Sequence, residues 1–135
     1  MTHHFHAIVW IDHSEARVFH FNESEADKEL VRSHKHDLHL HHKANSRGSG
    51  HAGVDKEFLE RVAKALHASG AVLIVGPASA KTELAAHIGE HDRELAKRIS
   101  GVETVDHPSD GVLLALARKF FRADDRMHWQ AAPPR

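Results

Sequence analysis

The sequence predicts a single α/β domain built on a mixed sheet of five strands. Three short runs rich in β-branched and aromatic residues come first, and the first two lie close enough to form a hairpin. Two further apolar runs follow, each reached through a segment with helical periodicity. The order is therefore βββαβαβα. Local connections allow antiparallel pairing of the early strands, whereas helical crossovers make the later pairings parallel and right-handed.

The first three strands are predicted within the first 40 residues. Each is short, and turn-forming polar residues separate the first from the second. A polar, acidic connection over residues 22–27 precedes the third. The predicted strands cover residues 7–11, residues 17–21, and a run that begins at Leu30 and ends between Ser33 and His39.

The rest of the chain alternates helices and strands, which is the architecture of ribonuclease H-like folds. Helical spacing of apolar residues, with Asp55 as a cap, marks the first helix. We expect residues 1–128 to form one domain and residues 129–135 a flexible tail. The predicted elements are a helix that begins near Val54 and is ended by Ser69-Gly70, a strand over 71–75, a helical region over 80–99 that residues 89–92 divide, a strand over 101–105, and a helix that begins at Asp110.

Length and composition narrow the class of protein. The chain has 135 residues, 41% of them apolar and 27% charged, as expected of one ordinary globular domain. The absence of cysteine excludes disulfides, thiolate metal sites and a cysteine nucleophile. No apolar run reaches the roughly 18–20 residues of a membrane helix, and the start lacks the features of a signal peptide. We therefore expect a cytoplasmic protein that makes no membrane contact.

One basic, glycine-rich stretch, residues 42–53, is the best candidate for function. It carries three glycines and no large apolar side chain, which predicts an exposed loop. Glycine backbone can approach phosphates closely, and Lys43 and Arg47 supply positive charge. Because the formal net charge is only -1, any contact with nucleic acid has to depend on such a local patch. The alternative is that this stretch has no function beyond connecting the third strand to the first helix.

Three features of the sequence resemble one family. The hairpin over residues 7–21, the run from Val72 to Leu84 with its Lys81-Thr82-Glu83-Leu84 string, and the glycine-rich basic stretch before the first helix occur in the same order in that family. It is the middle domain of archaeal and eukaryotic class-one release factors and Pelota-type rescue proteins. The resemblance covers nearly the whole chain. It implies a bacterial stand-alone relative, a translational machinery protein that binds the ribosome.

The sequence departs from that family at the residues that matter for chemistry. Release factors carry a Gly-Gly-Gln loop whose backbone helps to place a water molecule on the peptidyl-tRNA ester. Residues 47–53 have neither two adjacent glycines nor a glutamine. The resemblance therefore implies the position of the loop and its RNA contact, without hydrolysis and without a cofactor. The predicted RNA-binding residues are Arg32, Lys35, Lys43, Arg47, Gly48, Gly50 and His51.

The histidines suggest an alternative function. The chain has 16 of them, and several are concentrated between His34 and His51. His39 and His41 share a face if that stretch is extended, and His51 lies farther along the same loop, so a zinc site is an alternative hypothesis. A contact tuned by pH, or plain solvated surface, explains the same residues without metal.

Other chemistries are less well supported by the sequence. Gly76 to Thr82 resembles a nucleotide-binding loop only in outline, because Pro77 removes a backbone donor from the phosphate cradle. A metal-dependent nuclease would need converging carboxylates, and the only obvious set is Asp12, Glu57 or Glu60, and Asp106. A protein-interaction module on the same fold is the third hypothesis. We expect a non-enzymatic protein whose partner is the ribosome or ribosomal RNA.

Overall fold

A computed structural model describes the backbone of residues 5–34 and 54–131, and the side chains of these residues up to Ala123. Five strands form one sheet in the order β3-β2-β1-β4-β5. None of the helices in the described ranges is long and apolar enough to cross a membrane. The strands are β1 His6–Ile11, β2 Glu15–Phe21, β3 Ala26–Arg32, β4 Ala71–Gly76 and β5 Ile99–Thr104; the helices are α1 Lys56–Leu66, α2 Ala80–His91, α3 Arg93–Ala96 and α4 Asp110–Ala131.

The sheet is mixed, as the order of elements predicts. β2 pairs antiparallel with both β1 and β3, whereas β4 pairs parallel with both β1 and β5. Strands β1, β3, β4 and β5 therefore point in one direction and only β2 opposes them. The predicted α/β class and five-stranded mixed sheet are confirmed.

Helices cover the sheet on both faces, and the central strands supply apolar residues to each side. Along β1, Val9 packs in the cluster that contains α1 and α2, whereas Ile8 and Trp10 pack in the cluster that contains α4. β4 alternates in the same way, with Ile74 on the first side and Leu73 on the second. This double burial explains why both strands are continuous apolar runs instead of alternating ones.

The predicted bounds of β3 and β5 are wrong, and β3 also ends at Arg32, before the predicted range from Ser33 to His39. β3 begins at Ala26, four residues before Leu30, because it is an edge strand whose side chains face solvent and give no apolar signal. Ile99 begins β5 and does not end a helix. The predicted division of the helical region at residues 89–92 is confirmed: α2 ends at His91, and the Asp92 carboxylate accepts the Leu95 N–H at 3.1 Å and caps the short α3.

A three-member ion cluster fixes the start of α4 against the sheet. Asp110 accepts hydrogen bonds from Arg17 of β2 and Lys28 of β3, both at 2.8 Å. These hydrogen bonds hold the pKa of Asp110 below its usual value of 3.8. The bond from Lys28 has the largest effect and the bond from Arg17 the next largest. The carboxylate form is therefore stabilised in the folded chain.

Asp110→Asn is expected to lower the free energy of unfolding at pH 7 by less than about 1 kcal/mol, because the carboxylate is partly exposed. A lowered folded pKa contributes stability above the unfolded pKa and loses it as pH falls through the folded value. The difference in the free energy of unfolding between wild type and Asp110→Asn should therefore disappear below pH 4. Urea unfolding at several pH values measures it, with Glu103→Gln on β5 as the control. A gap that widens in acid would contradict this assignment.

Candidate nucleic-acid interface

Four strand ends meet at one edge of the sheet, called here the carboxyl edge. Because β1, β3, β4 and β5 are parallel to one another, their last residues lie along this edge. The chain passes from β1 to β2 and β3, then crosses to β4 on the other side of β1. In open α/β sheets, ligands bind outside the carboxyl ends of the strands at such a reversal of strand order. The connection from β3 to α1, residues 33–55, begins and ends at this edge.

The start of that connection is held by two hydrogen bonds. The Ser33 N–H donates to the Ser14 carbonyl at 2.8 Å, in the turn between β1 and β2. The Arg61 guanidinium of α1 donates to the Arg32 carbonyl at 2.7 Å. Ser33 is buried, with 2% of its surface exposed. The backbone therefore leaves β3 at a defined position.

The end of the connection is held by one carboxylate. Glu83 of α2 accepts the Val54 N–H at 2.8 Å through Oε1, and its Oε2 accepts the Ser79 hydroxyl at 3.3 Å. His13 Nε2 lies 3.9 Å from Oε2. Asp55 then caps α1 by accepting the Glu57 N–H. We call the residues that hold the two ends the segment base: Ser14, Arg32, Ser33, Val54, Arg61 and Glu83.

Positive groups surround the segment base. The Arg32 side chain is exposed, and no ion pair is formed with it by the residues that the structure describes. Lys56 is exposed at the first turn of α1, and Lys81 donates to the Ala78 carbonyl at 2.5 Å in the first turn of α2. Both helices present their N-terminal ends here, where helix dipoles favour anions. The carboxylates of Asp12, Asp55 and Glu83 lie at the same edge, so the positive charge there is confined to Arg32, Lys56 and Lys81.

Of the predicted RNA-binding residues, only Arg32 lies within the described residues, where it belongs to the segment base. The anchors Arg61 and Glu83 were missed by sequence reasoning, because nothing in their local sequence indicates contacts with residues 29 positions away. The remaining predicted RNA-binding and metal candidates lie outside the described residues: Lys35, His39, His41, Lys43, Arg47, Gly48, Gly50 and His51.

The other predicted chemistries find no support in this part of the chain. Asp12, the first member of the nuclease set, accepts the N–H groups of Ser14 and Glu15 at 2.8 and 2.9 Å, as a turn residue does. Glu57 pairs with Arg61 on the surface of α1. Asp106 is exposed and contacts its neighbour His107. Asp12, Glu57 and Asp106 are thus accounted for by local contacts, and the alternative member Glu60 lies 3.0 Å from His87 of α2.

Solved structures share this arrangement. Archaeoglobus fulgidus Pelota superposes with a TM-score of 0.64 at 16% identity, over 93% of this chain and 35% of that one. The chain has the fold of part of Pelota. Thermoplasma acidophilum Pelota gives a TM-score of 0.56 at 17% identity, over 80% of this chain and 30% of that one. An archaeal translation termination factor gives 0.49 at 13% identity, which is too low to add to the argument.

The comparison with Pelota concerns the fold. The chain spans only about a third of the length of either Pelota structure, and the identities are below the level at which a shared activity follows. No family model and no curated protein matches the sequence. The predicted likeness to a domain of Pelota is confirmed at the level of structure.

Proposed function

We propose that the chain is a cytoplasmic, translation-associated protein that binds ribosomal or other structured RNA at the carboxyl edge and does not hydrolyse peptidyl-tRNA. One observation carries the proposal: the described residues that precede and follow a basic, glycine-bearing stretch of sequence, Arg32 and Val54, are hydrogen-bonded at the carboxyl edge of a Pelota-type sheet. Tied ends lower the entropy that the segment loses when it binds, which favours binding.

The distribution of charge supports a local contact with a polyanion. The segment supplies Lys43 and Arg47, and the edge supplies Arg32 and Lys56. Because the formal net charge of the chain is -1, attraction to RNA has to come from this concentration of cations. Phosphate contacts of this kind release counterions, so the affinity should fall steeply as salt rises.

A role without hydrolysis is supported by the residues available. Activation of a water molecule needs a positioned group that can take its proton. At the carboxyl edge, the carboxylates of Asp12 and Glu83 accept backbone N–H groups, and His13 lies beside Glu83 in place of the glutamine that the release-factor loop would supply. Residues 47–53 contain no glutamine. The proposed role is therefore to dock on RNA.

Cosedimentation with ribosomes tests the proposal. Lys43→Ala/Arg47→Ala is expected to bind more weakly at low salt, because two phosphate contacts are lost. The slope of log affinity against log salt should become shallower by about 2. Arg93→Ala/Lys97→Ala is the matched control, since it removes two exposed cations from α3 at the opposite edge of the sheet. It should keep the wild-type slope.

Two results would contradict the proposal. In the first, wild type and the Lys43/Arg47 variant remain equally in the supernatant at low salt. In the second, both pellet equally and with the same salt dependence. Partners that survive ribonuclease treatment in either case would instead favour a protein-interaction module on this fold.

A further inference from the structure

The sheet has two outer strands, β3 and β5, and the two differ in charge. β3 carries three consecutive charged residues, 27–29. β5 reads Ile-Ser-Gly-Val-Glu-Thr, and Glu103 is its only charged residue. An unpaired outer strand presents a row of backbone N–H and C=O groups to other chains, and charged side chains on that strand are a common means of preventing such pairing. β3 has this protection, whereas β5 lacks it.

The backbone of β5 is open on its outer side. Val105, directly after the strand, donates its N–H to the Gly76 carbonyl of β4 at 2.9 Å. Alternate residues of a parallel strand direct their backbone groups to the same side. Glu103 therefore also bonds toward β4, whereas Val102 and Thr104 direct their N–H and C=O groups outward. None of the hydrogen bonds among the described residues reaches this outer side.

The sequence of β5 is suited to pairing with a second copy of itself. When two identical strands pair antiparallel about a two-fold axis, the residue on the axis faces its own copy, and its two neighbours face each other. With Val102 on the axis, the two valines exchange two backbone hydrogen bonds because both direct these groups outward. Gly101 of each copy then faces Glu103 of the other. This pairing opposes no like charges.

The same pairing is unfavourable at β3. An axis at Asp27, Lys28 or Glu29 places two identical charges opposite each other. An axis at Leu30 places Lys28 opposite Arg32. Like charges that are directly opposite across a pair of strands are destabilising. The charge pattern therefore makes β5 the outer strand that is better suited to a second copy of the chain.

The helix beside β5 adds an apolar surface on one face of the sheet. Phe120 of α4 lies so close to Gly101 that a Cβ atom added to the glycine would be 3.2 Å from its ring. Val112 and Leu116 precede Phe120 at intervals of four residues and so lie on the same side of the helix. The other side carries Arg118, which donates to two carbonyl groups in the connection from β2 to β3. α4 is thus apolar toward β5 and charged toward β3.

We propose that the chain forms a homodimer in which the two β5 strands pair antiparallel about Val102 and the two sheets join into one. The two-fold axis is perpendicular to the sheet, so both copies of α4 lie on the same face and their apolar sides face each other across the axis. A register shift beside Leu73 confines the regular part of the β5 edge to residues 101–104. The dimer is therefore expected to dissociate on dilution, as small interfaces do. The two carboxyl edges lie at opposite ends of the joined sheet.

Sedimentation velocity of ribonuclease-treated protein at a series of concentrations tests the dimer. Wild type should shift from monomer to dimer as the concentration rises. Val102→Lys should weaken association at least roughly tenfold, because it places two ammonium groups opposite each other and removes an apolar contact. Leu30→Lys is the matched control, since it makes the same change on β3 at a residue 43% exposed, compared with 41% for Val102. Leu30→Lys should associate like wild type.

The proposal is overturned if wild type stays monomeric at the highest concentration, or if Val102→Lys associates as strongly as Leu30→Lys. The two variants should have the same Tm at low concentration, so that a loss of association is not a loss of fold. Hydrogen exchange of wild type is a second readout that needs no variant. The amides of Val102 and Thr104 should exchange more slowly as the concentration rises, and those of β3 should not. A dimer that leaves exchange in β5 unchanged would also overturn the proposal.

Discussion

Gly76→Ala should destabilise the protein by about 3 kcal/mol, the upper end of the usual range for an overpacked site. Gly76 ends β4 beside the end of β1. A Cβ atom added there would lie 2.2 Å from the backbone carbonyl oxygen of Ile11. Because the obstructing atom is backbone in a central strand, no side-chain rotation relieves the contact. Urea unfolding followed by circular dichroism measures the loss.

A second glycine provides the matched control. Gly89 lies inside α2, and a Cβ atom added there meets nothing within 4 Å. Gly89→Ala should therefore stabilise the chain by about 0.5–1 kcal/mol, because alanine is the better helix former. If Gly76→Ala were as stable as wild type or more stable, the close approach of β1 and β4 would be wrong.

Phe58→Ala should cost about 3–5 kcal/mol, because it removes a fully buried ring from the core between α1 and the sheet. The substitution also affects the proposed RNA contact, because α1 carries Arg61, which donates a hydrogen bond to Arg32 at the start of the connection from β3 to α1. Phe58→Leu should recover most of the stability. Val112→Ala, at a site 57% exposed, should stay within about 0.5 kcal/mol of wild type. Thermal and urea unfolding compare the three; equal effects at positions 58 and 112 would contradict this core.

The buried parts of the fold could be predicted from the sequence because burial leaves a periodic signal. β1 and β4 are covered on both faces, and their continuous apolar runs located them to within one residue. The Asp55 cap followed from capping preferences in the same way, whereas α1 ends at Leu66, before the predicted stop at Ser69-Gly70. Val112 of α4 is apolar but exposed, so residue type alone does not fix which face of that helix is buried.

The exposed and long-range features could not be predicted. β3 carries three consecutive charged residues, 27–29, at an edge of the sheet, so its pairing with β2 from Ala26 onward has no apolar signature. The roles of Arg61 and Glu83 depend on backbone groups far away in the chain. His87 lies outside the histidine-rich stretch of residues 34–51, and only the packing of α1 against α2 brings Glu60 close to it.

The order of strands in the sheet also has a consequence for how the chain folds during synthesis. β1, β2 and β3 are joined by short turns and can pair as soon as they have been made. The second partner of β1 is β4, so His6 of β1 can pair with Ala71 only after the chain has been synthesised as far as β4. Until then an apolar strand has one open side, the state in which nascent chains are most prone to aggregate. Such distant parallel pairing also slows folding, because a long loop has to close first.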